Sequence, residues 1–167
     1  KGESKGTLVS PAELPSTLGE QLEKNGGVLL FVGAGDIEGM AMRFAADWSL
    51  RSRLVQGLSA DTRVILGEPL ARRTTLRVGG AARFYAEPAN RDDLSLLLKQ
   101  AAREELPVFF LGRGSNLIVS DHGFDGLVIS LGSPFWHQIE ALDDGRLRAG
   151  AGVRLKELCG FAARRGM

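Results

Sequence analysis

The segment "LPVFFLGRGSNLIVSDHGFDGLVISL", residues 106–131, decides the fold class of this chain. It holds three short apolar runs, "PVFFLG", "LIVSD" and "LVISL", which polar turns rich in glycine separate from one another. Such runs are typical of buried strands in a sheet whose faces are covered by helices. The segment therefore predicts an α/β protein with three strands in this region and glycines at the strand ends.

The turn "GRGSN" after the first of these strands is a candidate anion site. Gly112 and Gly114 allow positive φ and lack Cβ atoms, so successive amide N–H groups can point to one place and bind a phosphate. Ser115 and Asn116 add short hydrogen-bond donors. The alternative is a tight turn between two strands, with Asn116 as an ordinary left-handed residue. The loop alone does not distinguish these two interpretations.

The flanking regions continue the α/β pattern. "ARFYAEPA" predicts a strand that ends at Pro88, and "NRDDLSLLLKQAAREEL" predicts an amphipathic helix with Asn90 as its N-cap. We expect a hairpin around residues 143–145 and a last helix in "RLKELCGFAARRGM". Cys159, the single cysteine, is expected to be a buried apolar thiol of that helix, and its isolation favours a reducing, cytoplasmic setting.

The N-terminal third predicts a separate helix–strand–helix unit. The first helix has Ser16 or Thr17 as its expected N-cap. "GVLLFVGAG", residues 27–35, predicts a strand buried on both faces, and "DIEGMAMRFAADWSLRSRL" predicts the second helix. Such a unit is typical of the end of a doubly wound, Rossmann-like domain.

The glycines of that unit do not have the spacing of a dinucleotide fingerprint. Gly33, Gly35 and Gly39 form G-x-G-x-x-x-G, in which the third glycine comes one residue late. Asp36 would also place a carboxylate at the helix N-terminus, where a cofactor phosphate is otherwise stabilised. A glycine turn with Asp36 as N-cap is therefore favoured over a dinucleotide site.

The composition excludes several classes of partner. Lys and Arg number 21 and Asp and Glu 20, so the chain lacks the excess of positive charge that binds nucleic acids or anionic membranes. It has no apolar run of about twenty residues, the length that spans a bilayer. His122 and His137 have no spacing typical of a catalytic triad or a metal site. Because the chain begins at Lys1 and not at an initiator Met, and stops at Met167 in an expected helix–loop transition, we expect it to be part of a longer protein.

Residues 70–167 contain the motifs "TTLRVGG", "ARFYAEP", "GRGSNL", "GFDGLVI" and "AGAGV" in this order. Together they closely resemble the N-terminal half of the UDP-N-acetylenolpyruvoylglucosamine reductase family, with Thr74 in place of the usual Asn and Leu76 in place of Phe. The resemblance implies an α/β (α+β) fold, the first FAD-binding lobe of the vanillyl-alcohol-oxidase or PCMH type. It also implies that one loop cradles the FAD pyrophosphate, and the residues of that loop are Gly112, Arg113, Gly114, Ser115, Asn116 and Leu117.

The same resemblance implies a reaction. Enzymes of this family use NADPH and FAD to reduce UDP-N-acetylglucosamine enolpyruvate to UDP-N-acetylmuramate, a precursor of bacterial peptidoglycan. Their catalytic residues lie in downstream motifs that this sequence does not contain, so no catalytic residue is assigned and the chain alone is expected to be inactive. Two alternatives remain: a flavin oxidase of the same superfold, and a non-catalytic module that docks against a partner.

The N-terminal stretch "LVSPAELPSTLGEQLEKNGGVLLFVGAGDI" has a resemblance of its own, to the C-terminal end of the UDP-N-acetylmuramate–L-alanine ligase family. It implies a fusion of ligase and reductase. We expect a ligase tail in residues 1–50, a connector in residues 51–69 and an incomplete FAD-binding lobe in residues 70–167. The expected partners are a small UDP-sugar substrate and the remaining ligase and reductase domains, with no nucleic acid and no membrane.

Overall fold

The computed structural model describes residues 8–10, 13–33 and 35–167. Within these residues the chain forms four α-helices and six β-strands in a mixed α/β arrangement. Two single turns of 3-10 helix, Leu70–Arg73 and Pro134–His137, interrupt the loops. The elements in chain order are α1 (Leu14–Asn25), α2 (Ile37–Leu54), β1 (Arg63–Pro69), β2 (Ala81–Glu87), α3 (Arg91–Arg103), β3 (Val108–Leu111), β4 (Phe124–Ser130), β5 (Ile139–Ala141), β6 (Leu147–Ala149) and α4 (Leu155–Ala163).

A four-stranded sheet with the order β1-β2-β4-β3 forms the centre of the described chain. β1 is antiparallel to β2, whereas β2, β4 and β3 run parallel to one another. Helix α3 connects β2 to β3, as a parallel pair requires. Leu111 at the end of β3 lies opposite Ser130 at the end of β4, so both strands end at the same edge of the sheet. The predicted α/β fold is confirmed, and this edge is where ligands bind in open parallel sheets.

The main hydrophobic core lies between one face of this sheet and helices α1, α2 and α3. Burying one Leu, Ile or Phe side chain stabilises a fold by about 1.5–3 kcal/mol, so this face of the sheet supplies most of the favourable free energy of folding. Five of its large side chains are completely buried: Leu54, Phe84, Leu97, Leu127 and Ile129.

A second, smaller core covers the opposite face of the sheet. Tyr85, Leu111 and Val128 project from three neighbouring strands and pack with Leu70 of the first 3-10 turn. Partly buried side chains from the segment after β3, Leu117 among them, close this core. The loop that follows β3 is therefore fixed to the sheet by apolar contacts on one side and exposed on the other.

The N-cap prediction for α3 is confirmed. The Asn90 side chain accepts a hydrogen bond of 2.9 Å from the backbone N–H of Asp93. The Asp93 carboxylate in turn accepts hydrogen bonds from Ser59, Thr62 and Asn90. Burial alone would raise the pKa of Asp93, but these hydrogen bonds outweigh burial and lower it below its usual value. The network attaches the chain before β1 to the start of α3.

Helix α1 begins earlier than the sequence predicts. Its N-cap is Glu13, and Ser16 and Thr17 lie in the first turn, where both hydroxyls donate to the Glu13 carbonyl at 2.9 Å. A proline in the first turn allows this earlier start because its missing N–H needs no helical acceptor. Gly26 ends the helix with a φ of 61°, as the sequence predicts.

The prediction of a buried strand at residues 27–35 is wrong. Residues 27–33 form no strand, and Ala34 lies outside the described residues. Val28, Leu30 and Val32 are 95, 85 and 80 % exposed, whereas Leu29 and Phe31 pack against the main core. Burial alternates as in a strand, but a strand also needs a bonded neighbour, and the four-stranded sheet does not include this segment. The strand expected in "LIVSD" is likewise absent, because residues 117–120 cover the second core as an irregular segment.

The expected connector, residues 51–69, contains regular structure. It includes the end of α2 and all of β1, which pairs with β2 from Arg63 opposite Glu87 to Pro69 opposite Ala81. Leu54 of α2 lies in the same core as Phe84 of β2. The division into residues 1–50, 51–69 and 70–167 stays a prediction.

Helix α4 differs from its prediction in burial. Cys159 is exposed, and Leu155 of the same helix is 75 % exposed. The reason is that none of the side chains of α4 is buried by the rest of the described chain. The expectation of a buried thiol is therefore wrong for this structure, although the helix and the hairpin of β5 and β6 before it form as predicted.

Candidate functional site

The candidate site is the loop that leaves β3 at the carboxyl edge of the parallel strands. Gly112, Arg113, Ser115 and Asn116 are exposed, whereas Gly114 is buried. A buried strand, a glycine-containing loop and an open surface are thus adjacent, in the arrangement that the sequence predicts for an anion site.

Gly114 is held against the segment that precedes β2. Its φ is +60°, and a Cβ atom on this residue would lie 2.3 Å from the Arg73 carbonyl oxygen and 2.8 Å from Cα of Thr74. The Gly114 carbonyl accepts a hydrogen bond of 3.0 Å from the N–H of Thr75. Only glycine fits here, because any side chain would be both strained and blocked. Gly114 therefore fixes the loop to the protein.

Gly112 differs from Gly114. Its φ is not positive, and a Cβ atom there would meet nothing within 4 Å. Both glycines allow positive φ, and of the two Gly114 adopts it. The absence of a side chain at residue 112 instead leaves open space on the exposed side of the loop, where a ligand can approach the backbone.

The backbone amides of the loop have no partners in the part of the chain that the structure describes. From Gly112 to Ile118, none of these N–H groups donates a hydrogen bond to a described backbone or side-chain acceptor. Exposed N–H groups without a protein acceptor are free to bond water or a ligand, so this run is a candidate place for an anion.

A cleft of about 510 Å³ adjoins the loop at the ends of β3 and β4. Arg113 and Arg154 line it, and none of its described lining residues is a carboxylate, so the cleft favours negative charge. The lining residues are Phe110, Leu111, Gly112, Arg113, Ile129, Ser130, Leu131, Gly132, His137, Ala151, Gly152, Val153 and Arg154. The sequence missed Arg154 and His137, since they come from separate segments that only the fold brings to the loop.

Residues 151–154, which include Gly152 of the "AGAGV" motif, form one wall of this cleft, and Gly150 lies directly before them. A Cβ atom on Gly150 would lie 2.2 Å from the carbonyl oxygen of Trp136, and one on Gly152 would lie 2.4 Å from that of Leu131. The Trp136 indole N–H donates a hydrogen bond of 2.8 Å to the Pro88 carbonyl, which fixes the 3-10 turn to the end of β2. Glycine at both positions thus lets the wall approach the sheet.

A buried cluster of charged and aromatic side chains lies behind the loop. Nε of Arg73 is 2.7 Å from Oε1 of Glu68, and one of its Nη atoms is 3.4 Å from Oε1 of Glu87. The Arg73 guanidinium lies over the Tyr85 ring at 4.5 Å from the ring centroid, and the Tyr85 hydroxyl donates to Glu87 at 3.0 Å. Burial raises the pKa of Tyr85 to about 12. This cluster could not be predicted from the sequence, because its members come from β1, the 3-10 turn and β2.

Thr74, which directly precedes the loop contact, carries a buried hydroxyl oxygen. The residue is 7 % exposed, and its Oγ1 atom has no hydrogen-bond partner among the described residues. An unpaired buried hydroxyl costs about 1–3 kcal/mol. The segment that supports Gly114 therefore contains a polar atom whose hydrogen-bonding capacity is unused.

The comparisons with known proteins agree with this geometry. A family model described as "FAD binding domain" matches residues 82–167, just over half of the chain, and this match covers the loop and the cleft wall. The chain belongs to the FAD binding domain family. FAD is therefore the cofactor of this FAD binding domain.

Two relatives of this chain are named as reductases of the same kind. A UDP-N-acetylenolpyruvoylglucosamine reductase of Pelobacter propionicus is 42 % identical over 113 residues, which cover 68 % of this chain and 38 % of that protein. The UDP-N-acetylenolpyruvoylglucosamine reductase 2 of Symbiobacterium thermophilum is 46 % identical over 105 residues, 63 % of this chain and 33 % of that protein. This FAD binding domain thus spans only about a third to two fifths of the length of these relatives.

The residues of the site fit a cofactor with a diphosphate. The loop offers unpaired amides, an open approach at Gly112 and the cation of Arg113, all of which suit a doubly charged anion. Among the residues that the structure describes, no cluster of three or more His, Cys, Asp or Glu side chains is placed to hold a metal ion. None of the described helices is long and apolar enough to cross a membrane.

Proposed function

We propose that the full-length protein reduces UDP-N-acetylglucosamine enolpyruvate to UDP-N-acetylmuramate with NADPH as the reductant. Support for this activity comes from the printed names of relatives that are 42 and 46 % identical to the chain. The product is a precursor of peptidoglycan, which is assembled from cytoplasmic intermediates, and we place the protein in the cytoplasm on that basis.

Within this activity, the chain binds the diphosphate of FAD. The residues that hold it are Gly112, Arg113, Gly114, Ser115, Asn116 and Leu117. The observation that carries this assignment is the run of amides from Gly112 to Ile118 without described protein acceptors, beside an open cleft that contains two arginines. Arg113 and Arg154 add positive charge where the diphosphate lies.

When bound, FAD supplies the capacity to accept a hydride from the nicotinamide and to deliver one to the substrate double bond. The chain contributes binding and orientation. The loop fixes the diphosphate, and residues 151–154 form one wall of the cleft in which the rest of the cofactor extends. No residue of this chain is assigned to proton transfer.

We also propose that residues 1–50 are the tail of a UDP-N-acetylmuramate–L-alanine ligase, joined through residues 51–69 to the FAD binding domain. The support is the sequence resemblance together with the exposed apolar side chains of Val28, Leu30 and Val32. A strand of a ligase sheet would bury these side chains against its neighbours, whereas the described chain leaves them exposed. An assay for ligase activity of the expressed full-length protein tests this proposal. A full-length protein without a ligase domain contradicts it.

A non-catalytic docking module is the second candidate function. Phe110 on the edge strand β3 is 50 % exposed and Leu155 on α4 is 75 % exposed, and exposed apolar surface of this kind marks an interaction site. This candidate predicts that the purified full-length protein carries no flavin.

The decisive experiment measures FAD binding and NADPH oxidation by the full-length protein with two substitutions at one position. Gly112→Ala adds a small group in open space, so the fold is kept and FAD affinity falls only slightly. Gly112→Asp adds a carboxylate beside the diphosphate, and we expect FAD affinity to fall by about 100-fold through charge repulsion. A full-length protein that stays colourless with added FAD contradicts the proposed reductase.

A further inference from the structure

We infer that Arg73 is a positioning residue for the phosphate-binding loop: it holds the backbone against which Gly114 packs, in the geometry that presents the loop amides to FAD. This inference rests on the proposed function. It adds to the proposed diphosphate site a residue that lies outside the loop and outside the cleft. Arg73 acts on the loop and not on the cofactor directly.

The first step of the argument is the anchoring of Arg73 itself. Its guanidinium lies between Glu68 of β1 and Glu87 of β2, at 2.7 and 3.4 Å, and over the ring of Tyr85. Glu68 is only 7 % exposed, so water screens this ion pair less than it screens a pair between two exposed side chains. Two carboxylates and one ring from two paired strands therefore fix the position of a single arginine.

The second step leads from this anchor to the loop. Arg73 is the last residue of the 3-10 turn Leu70–Arg73, and Thr74 and Thr75 follow in the chain. The Arg73 carbonyl and Cα of Thr74 form the surface that Gly114 meets, and the N–H of Thr75 donates to the Gly114 carbonyl at 3.0 Å. The position of the Arg73 backbone thus sets the position of Gly114 in the middle of the loop.

A second path joins the same cluster to the two ends of the loop. Tyr85, whose ring lies under the Arg73 guanidinium, belongs to the apolar core that also contains Leu111 and Leu117. Leu111 is the residue before Gly112, and Leu117 is the last residue of the proposed diphosphate loop. The beginning, the middle and the end of the loop therefore all depend on the cluster around Arg73. Binding sites need support of this kind, because amides that are misplaced by a fraction of an ångström bind an anion weakly.

The test uses the full-length protein with Arg73→Met and the matched control Arg53→Met. Arg53 also forms a close ion pair, with Glu104 at 2.7 and 3.0 Å, but it joins α2 to the end of α3, away from the loop. We expect Arg73→Met to raise the Kd for FAD by about tenfold, because the loop amides move out of place when the ion pairs that hold the Arg73 backbone are lost, and Arg53→Met to leave the Kd unchanged. Arg73→Lys keeps a cation between the carboxylates, so it folds and restores most of the affinity.

Riboflavin separates positioning from general structural damage because it lacks the diphosphate. Arg73→Met should weaken FAD binding and leave the Kd for riboflavin within about twofold of the wild-type value, since the loop contributes only through the diphosphate. Equal losses of both affinities, or FAD binding by Arg73→Met as tight as by Arg53→Met, overturn the inference. If the wild-type protein binds no FAD, the proposed function fails instead. If Arg73→Met does not fold, Arg73→Gln replaces it in the same comparison, and equal losses of FAD and riboflavin affinity, or no loss of FAD affinity, overturn the inference.

Discussion

Two glycine-rich turns follow apolar runs in this chain, and they differ in how the rest of the fold supports them. The turn around Gly33 and Gly35 follows a segment that no strand of the sheet pairs with, and the carboxylate of Asp36 lies next to it. The turn at residues 112–116 follows a paired strand, is packed against Thr74 and exposes unpaired amides. If the proposed function is correct, a glycine motif needs a paired strand and a packed backbone behind it to serve as an anion site.

The first turn places negative charge at the start of its helix. Asp36 is the N-cap residue of α2, as the sequence predicts, but its side chain makes no capping hydrogen bond. Its carboxylate instead lies 3.4 Å from Arg43 and crowds Gly39, where a Cβ atom would be 2.3 Å from Oδ1. Negative charge at the start of the helix disfavours a phosphate there.

The largest expected effect comes from alanine at the buried glycine of the second turn. Gly114→Ala places a Cβ atom 2.3 Å from the Arg73 carbonyl in a left-handed conformation, and we expect a loss of about 3 kcal/mol in unfolding free energy together with loss of FAD. Gly35→Ala is the control, since φ is +87° there but nothing lies within 4 Å, and it should cost about 1 kcal/mol. Chemical denaturation measures the unfolding free energy of both variants. Equal losses of unfolding free energy would contradict the expected difference between the two turns.

The support behind the second turn should make stability depend on alkaline pH. Burial raises the pKa of Tyr85 to about 12, above the value near 10 of an unfolded tyrosine, so the protonated hydroxyl is favoured by folding. Its contribution is complete below about pH 10 and is lost as the pH rises through about 12, by about 2–3 kcal/mol. Urea denaturation between these pH values measures the loss. A Tyr85→Phe variant should lose less, and an identical slope in both proteins would contradict this assignment.

Removing the unpaired hydroxyl of Thr74, beside the second turn, should raise the unfolding free energy by a smaller amount than the losses above. Thr74→Val keeps the shape of the side chain and removes the buried Oγ1 atom that has no described partner. We expect the unfolding free energy in the absence of FAD to rise by about 1 kcal/mol. Thr75→Val, at the exposed neighbouring position, is the control and should leave stability unchanged. Destabilisation by Thr74→Val would mean that the hydroxyl is hydrogen-bonded in the folded protein.

The smallest effect is expected at the first turn. Asp36 and Arg43 are 75 and 74 % exposed, and an exposed ion pair of this kind contributes about 0.5 kcal/mol or less. Asp36→Ala should therefore change the thermal midpoint by only about 1–2 °C and leave the affinity for FAD unaltered. Differential scanning calorimetry and a flavin titration check both expectations. A clear change in FAD affinity would place the first turn in the binding site after all.

Local signals in the sequence were sufficient for the elements that stabilise themselves. Asn90 caps α3 as predicted because an N-cap and its N3 amide are three residues apart, and β3 and β4 were predictable from apolar runs between glycines. The loop at residues 112–116 was recognisable from its glycines. Its position at the carboxyl edge of a parallel sheet follows from those same strands.

The features that the sequence did not predict all depend on distant neighbours. Residues 27–33 have the composition of a buried strand, but whether they pair depends on a partner strand that is not among the described elements. The cluster around Arg73 joins Glu68 and Tyr85 across two strands, and Arg154 reaches the cleft from beyond the hairpin. Cys159 has helical spacing with apolar residues, yet its exposure depends on what packs against α4.

Amide hydrogen exchange in the full-length protein, with and without FAD, tests most directly whether the loop amides bind the cofactor diphosphate. We predict that FAD slows exchange at residues 112–118 by at least about tenfold, because each amide gains an acceptor, while residues 35–39 exchange at the same rate in both states. Unchanged exchange at residues 112–118 in protein that is saturated with flavin would contradict the central claim.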